Sequence, residues 1–214
     1  MFNTAGSRAR GRRSAGGFVA FNVYTANATI TIPKGATKAF VRMVGGGGGA
    51  KSATNPNIGT GGNGAYLEKF LTGLSPGLTL TFTVGTAGSS TPGAGGNSTL
   101  VSGSQSITTL TAGGGSAGNA AFGAGGAATG GDLNVPGANG GGCSVTDVTD
   151  ITQTACAMIG GTPLGGGSGC GTTSSAAVST AGTLYGGGAV SVTNAAGSGS
   201  AAGAAGVCVI EWFA

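Results

Sequence analysis

The chain has 214 residues, of which 50 are glycine, and only 7% are charged. Six prolines and no strict Gly-X-Y period exclude collagen, while the absence of histidine excludes Ser-His-Asp and Cys-His catalysis. The formal net charge of +4 is uneven: Arg8, Arg10, Arg12 and Arg13 crowd the first residues, and the body is neutral.

Residues 1–17 read as a basic arm without an apolar core behind its arginines, so it is not a secretory signal. Its expected role is to attach the chain to another subunit. A single short basic cluster is a weak nucleic-acid footprint, and no specific nucleic acid is expected. No apolar run reaches the ~18 residues needed for a membrane-spanning helix. From Phe18 to Ile32 the chain is strand material. Thr29 and Thr31 alternate with Ala28, Ile30 and Ile32. Pro33-Lys34-Gly35 predicts a turn, and 37–44 a returning strand.

That strand stops in five glycines, Gly45 to Gly49. Each would cost about 1 kcal/mol in a helix, and none has a side chain for a sheet core. Glycine does allow polyproline II, a three-residue turn without internal hydrogen bonds. Its outward N–H and C=O groups need partners once buried. Order in such a run is therefore collective, with glycine segments packed side by side. A six-residue segment would run roughly 19 Å at ~3.1 Å per residue. GGGGGAKS, ending at Lys51 and Ser52, is one residue from a phosphate-binding loop. Ala50 replaces its last glycine, and Pro56 argues against the helix that should follow. The nucleotide reading is set aside.

Residues 65–71 read as a strand, Ser75-Pro76-Gly77 as a turn, and 79–84 as the clearest alternating strand, the two strands forming a hairpin. Beyond Gly85 glycine dominates. Short strand-like pieces recur at Asn97, Ile107, Asp132 and Ala189, with no fixed repeat length. The end, GVCVIEWFA, is a strong strand expected to close the sheet begun by residues 18–44.

These pieces set the expected fold: mainly β, essentially without α-helix. A small antiparallel β-sandwich, residues 18–85 and 206–214, is closed by the C-terminal strand. The glycine-rich stretch 86–205 packs as polyglycine II helices and carries a cysteine loop at 143–170.

Cys143, Cys156, Cys170 and Cys208 are an even set spaced thirteen or more residues apart, too far for tight zinc pairs. Disulfides are expected if the protein matures outside a reducing cytosol, with Cys143–Cys156 favoured and Cys170–Cys208 following. The first would close a loop worth ~3 kcal/mol. Buried thiols or bridges between subunits are the alternatives. Asp147 and Asp150 supply too few oxygens for calcium. No carboxylates among Glu68, Asp132, Asp147, Asp150 and Glu211 stand out as a catalytic pair. Neither an enzyme nor a cofactor is expected.

The sequence ATITIPKGATKAFVRMVGGGGGA, then GGNGAYLEKFLTGLSPGLTLTFTVGTAG, then GGNSTL, LTAGGG, ATGGDLNVPGANGG and GAAGVCVIEWF, resembles the glycine-rich domain of bacteriophage tail-fibre proteins. The resemblance covers about residues 28–214, with a gap around 143–170. It implies layered polyglycine II helices and, in some members, an adhesin at the distal fibre tip whose loops touch the host receptor. The chain departs from that pattern in two ways: no shaft-forming region precedes the domain, and the cysteines are extra. The expectation is a phage virion protein, made in the bacterial cytoplasm and carried on the particle surface. It would bind lipopolysaccharide or an outer-membrane protein through Asp147, Thr149, Asp150 and Thr152. Its other expected partners are virion proteins contacted through residues 1–17 and copies of itself, a trimer being favoured. The alternative is a purely structural virion component, a decoration, collar or fibre-base protein anchored by the arm.

Overall fold

The computed structural model describes residues 17–51, 58–119, 122–141, 153–155, 171–173, 178–192 and 199–214. Among them there is no helix. Two five-stranded antiparallel sheets carry the apolar core. The first has the order Phe18–Tyr24, Val207–Phe213, Lys38–Val44, Tyr66–Leu71, Leu133–Val135. The second runs Ala128–Thr129, Leu110–Ala112, Ser98–Ser102, Thr79–Thr83, Ala28–Thr31.

Strand alternation explains the packing, because every second side chain points to one face. Val41, Met43, Leu67, Ile210 and Trp212 from the first sheet meet Ile30, Leu80, Phe82, Leu100 and Leu110 from the second. All are essentially inaccessible to solvent. At ~25 cal/mol per Å² of apolar surface, this layer is the main favourable term in folding. Trp212 satisfies its indole N–H on Asn22 Oδ1 at 3.0 Å. The C-terminal strand sits between Phe18–Tyr24 and Lys38–Val44, paired along its length with the second and with one register shift between Phe18 and Ala20 against the first, and so closes the sheet begun there.

The expected hairpin between 65–71 and 79–84 does not form. Tyr66–Leu71 pairs with Lys38–Val44 and Leu133–Val135, while Thr79–Thr83 pairs with Ala28–Thr31 and Ser98–Ser102. Both strands have an apolar face, and facing sheets bury those faces against each other. The link between them crosses the end of the sandwich, with Leu74 buried beneath it. Its Ser75-Pro76-Gly77 turn has Gly77 at φ 87°, and Gly35 closes the other predicted turn at φ 88°. The sandwich also takes Ser98–Ser102, Leu110–Ala112, Ala128–Thr129 and Leu133–Val135 from within the glycine-rich stretch.

At the other end of the sandwich the strands turn into glycine segments. Lys38–Val44 continues into 45–49, which becomes the axis of a bundle. Polyproline II has three residues per turn, so residues i and i+3 face the same neighbour. The hydrogen bonds follow that period. Gly45 and Gly48 donate to Ala65 and Gly62, Gly46 and Gly49 donate to Gly96 and Gly93, and Gly47 donates to Ala204. In return, Gly46 and Gly49 accept from Gly115 and Gly118, Gly47 from Gly88, and Gly48 from Ala189. These bonds are 2.8–2.9 Å long. Six segments therefore surround one, and residues 45–49 are buried without any side chain. Segment 61–65 repeats the rule: Gly61 and Gly64 donate to Ala189 and Gly186, Gly62 and Ala65 to Ser116 and Gly113.

Side chains fix the join and the rim. Buried Ser98 accepts from Gly85 N–H and donates to the Val44 carbonyl, where strand becomes glycine segment. Asparagines stand in for missing backbone: Asn63 Oδ1 accepts from Gly188, Asn97 from Gly114, and Asn139 from Gly125.

Candidate functional site

The glycine bundle runs away from the sandwich and ends in small sheets at its far face. There Ala50–Lys51 lies between Gly118–Asn119 and Ser200–Ala201. Ile58–Thr60, Val190–Val192 and Val178–Thr180 form a second sheet, and Thr60 bridges to Phe122. Lys51 is exposed, with Asn119 and Ser200 directly across from it on the neighbouring strands. Phe122 is 55% exposed nearby. An ammonium, an amide and a hydroxyl thus line up across three strands, and exposed Phe122 stands on the segment bridged to the adjoining sheet at Thr60.

Lys51 does not serve a phosphate-binding loop. The N–H groups of Gly45 to Gly49 are all taken by carbonyls of neighbouring segments, and Ala50–Lys51 follows as a two-residue strand.

Asp147, Thr149, Asp150 and Thr152 lie outside the described residues, as do Arg8, Arg10, Arg12 and Arg13. Segment 137–140, which leads towards that loop, runs out to the far face, where Gly140 donates to Gly123 beside Thr60. Beyond the loop, Gln153–Ala155 pairs with Gly171–Thr173. Cys143, Cys156 and Cys170 also lie outside the described residues. Cys208 is a free thiol, fully buried between the sheets, which gives the Cys170–Cys208 bridge no support. Burial pushes its thiol far above the ordinary range. Burial also raises the Tyr24 hydroxyl, with a smaller contribution from Cys208.

The carboxylates that are described have partners. Glu211 forms an ion pair with Arg42, whose guanidinium also lies over the Phe40 ring at 5.4 Å. Tyr66 donates its hydroxyl proton to Glu68, and burial followed by that bond pushes the phenol well above its usual range. Lys69 bonds Asp132 at 2.5 Å and the Phe70 N–H donates to it at 2.9 Å; together they hold this exposed carboxyl below the normal carboxylate range. No cluster of three potential metal ligands occurs among the described residues.

Sequence reasoning missed the outward face of the first sheet, where Phe18, Phe21, Phe70 and Leu133 are exposed. The signal was present. FVAFNVY and KAFVRMV are apolar in both alternating registers, which a strand with one wet face does not require.

Among curated proteins, none matches this sequence. A glycine-rich domain family model matches residues 22–213, spanning the sandwich and the bundle together. The chain belongs to the glycine-rich domain family.

Proposed function

We propose that this chain is a bacteriophage virion protein of the tail-fibre adhesin type, whose far face contacts the surface of the host cell. One observation carries the reading. The six-neighbour glycine bundle is a backbone-bonded pedestal whose segments end together at a single face. A scaffold of this kind holds loops rigidly while leaving their sequences free, which is how binding loops are commonly carried. The order of strand, glycine and turn motifs shared with tail-fibre glycine-rich domains supports the same reading. Lipopolysaccharide or an outer-membrane protein is the proposed receptor, with Asp147, Thr149, Asp150 and Thr152 as contacts and Lys51 and Phe122 of the described far face as further ones. The particle surface is the proposed location, with residues 1–17 as the attachment arm.

The test is binding of the purified chain to host cells and its competition with phage adsorption. Wild-type protein should bind and compete. Alanine at the four loop positions, or Lys51→Glu with Phe122→Ser, should abolish both effects without changing the melting temperature. Failure of the native protein to bind would end the adhesin reading. Particles that incorporate the protein and adsorb normally when the four loop residues are replaced would favour a structural role.

A further inference from the structure

The inner face of the first sheet is covered along its length, and its outer face only at the bundle end, where Val44, Tyr66, Val207 and Val209 are buried with Tyr185 against them. On its outer face Phe18 is 64% exposed, Phe21 53%, Val23 48%, Phe70 46% and Leu133 46%. An aromatic side chain offers ~150–250 Å², so the three phenylalanines alone leave roughly 300 Å² of ring surface in water. That matches the largest apolar patch of an ordinary monomer, ~300–600 Å², before Val23 and Leu133 are added.

We propose that this face is a docking surface for a second copy of the chain, sheet against sheet. Charge argues for self-association. The face carries Lys38, Arg42, Glu68 and Glu211, two of each sign; Arg42 is paired with Glu211, and Glu68 lies directly across from Arg42 on the next strand. A two-fold contact sets a surface against itself. A face with net charge would repel its own copy, and this one sums to zero. Geometry agrees. Phe18, Phe21 and Val23 lie on one edge strand, Leu133 on the opposite edge strand, and Phe70 beside it. A two-fold axis parallel to the strands and above Lys38–Val44 places each copy's phenylalanine edge over the other's Leu133 edge. Arg42 of each copy then lies beneath the axis, its charge met by its own Glu211 on the adjoining strand. Sheets packed this way sit about 10 Å apart. The apolar surface of both copies, with half-buried Phe40 and Phe213 added, approaches the ~1,000 Å² expected of a specific interface.

Sedimentation velocity on the full chain, from low micromolar to near-millimolar concentration, tests the proposal. Wild type should convert to a species of twice the chain mass. Phe21→Glu and Phe70→Glu should each weaken that conversion at least tenfold. Phe70→Thr, which keeps a strand-forming residue and adds no charge, should weaken it as well. Phe122→Glu, at the far face, should leave it unchanged. Near-ultraviolet circular dichroism of the monomeric variants should match wild type, separating lost docking from lost folding. A wild-type chain that stays at monomer mass throughout would overturn the proposal. So would a trimer, or a dimer indifferent to the Phe21 and Phe70 changes.

Discussion

Gly47 has a neighbouring backbone where a side chain would begin. A Cβ there would overlap the carbonyl of Gly187, one at Gly46 would overlap that of Thr86, and one at Gly48 that of Ser116. None of these atoms is the movable end of a side chain, so only separation of the segments could relieve the overlap. Gly47→Ala should therefore cost at least the ~3 kcal/mol at the upper end of ordinary overpacking, and Gly47→Val should yield no folded protein. Thermal and denaturant unfolding decide the matter. A tether of loose glycines would instead gain ~0.4–1 kcal/mol from Gly47→Ala. Cys208 makes a different prediction at the same scale. The native thiol stays protonated because it is buried, while the unfolded chain ionises it near pH 8.5. Stability from this group is complete below that pH and falls above it, by up to ~1.4 kcal/mol per pH unit. Cys208→Ala should remove that share of the alkaline slope, measured as the difference between the two unfolding curves from pH 7 to 10.

Single elements show where the sequence could be read and where it could not. The strand at 79–83 was legible because threonines alternate with large apolar residues, and that at 207–213 because a dense run of β-branched and aromatic residues follows a glycine-rich stretch. The turns at Gly35 and Gly77 were legible from Pro-Lys-Gly and Ser-Pro-Gly. Pairing partners were not, because the apolar faces of 65–71 and 79–84 fit a hairpin and a sandwich equally well; only the full set of strands decides. The packing of Gly45 to Gly49 could be argued from unmet backbone groups, but not which six segments meet them. Asn63 was invisible to pattern reading, since an asparagine among glycines looks like loop. It is 1% exposed and accepts from the Gly188 N–H at 2.7 Å. Asn63→Ala should leave that donor buried without its acceptor and cost ~1–3 kcal/mol. Amide exchange at Gly188 should accelerate with it, and unchanged exchange would refute the role.

Over the whole molecule, two kinds of interior share one fold. The sandwich buries apolar side chains, and the bundle buries peptide groups. Exposure of apolar surface raises the heat capacity of unfolding, and exposure of polar surface lowers it. Calorimetry should thus give a heat-capacity change per residue below the usual ~12–15 cal/mol/K, with a correspondingly flat stability curve. A value within the ordinary range would mean that the bundle contributes little buried peptide surface. The candidate site was legible at this scale only in outline. A glycine-rich scaffold implied displayed loops, but Lys51 gained neighbours only when Asn119 and Ser200, distant in sequence, came beside it.

The threefold period of the bundle also constrains how such a chain can diverge. Inserting one residue inside 45–49 would rotate every later residue by a third of a turn and hand its hydrogen bonds to the wrong neighbours. Only steps of three keep the pattern, and only glycine fits at the crowded positions. Surface connections obey no such arithmetic, since each doubling of a flexible loop costs only about 0.6 kcal/mol. The architecture thus separates inheritance into a frozen part and a free one, so that chains sharing the same glycine spacing can differ widely in the segments that join the bundle's strands.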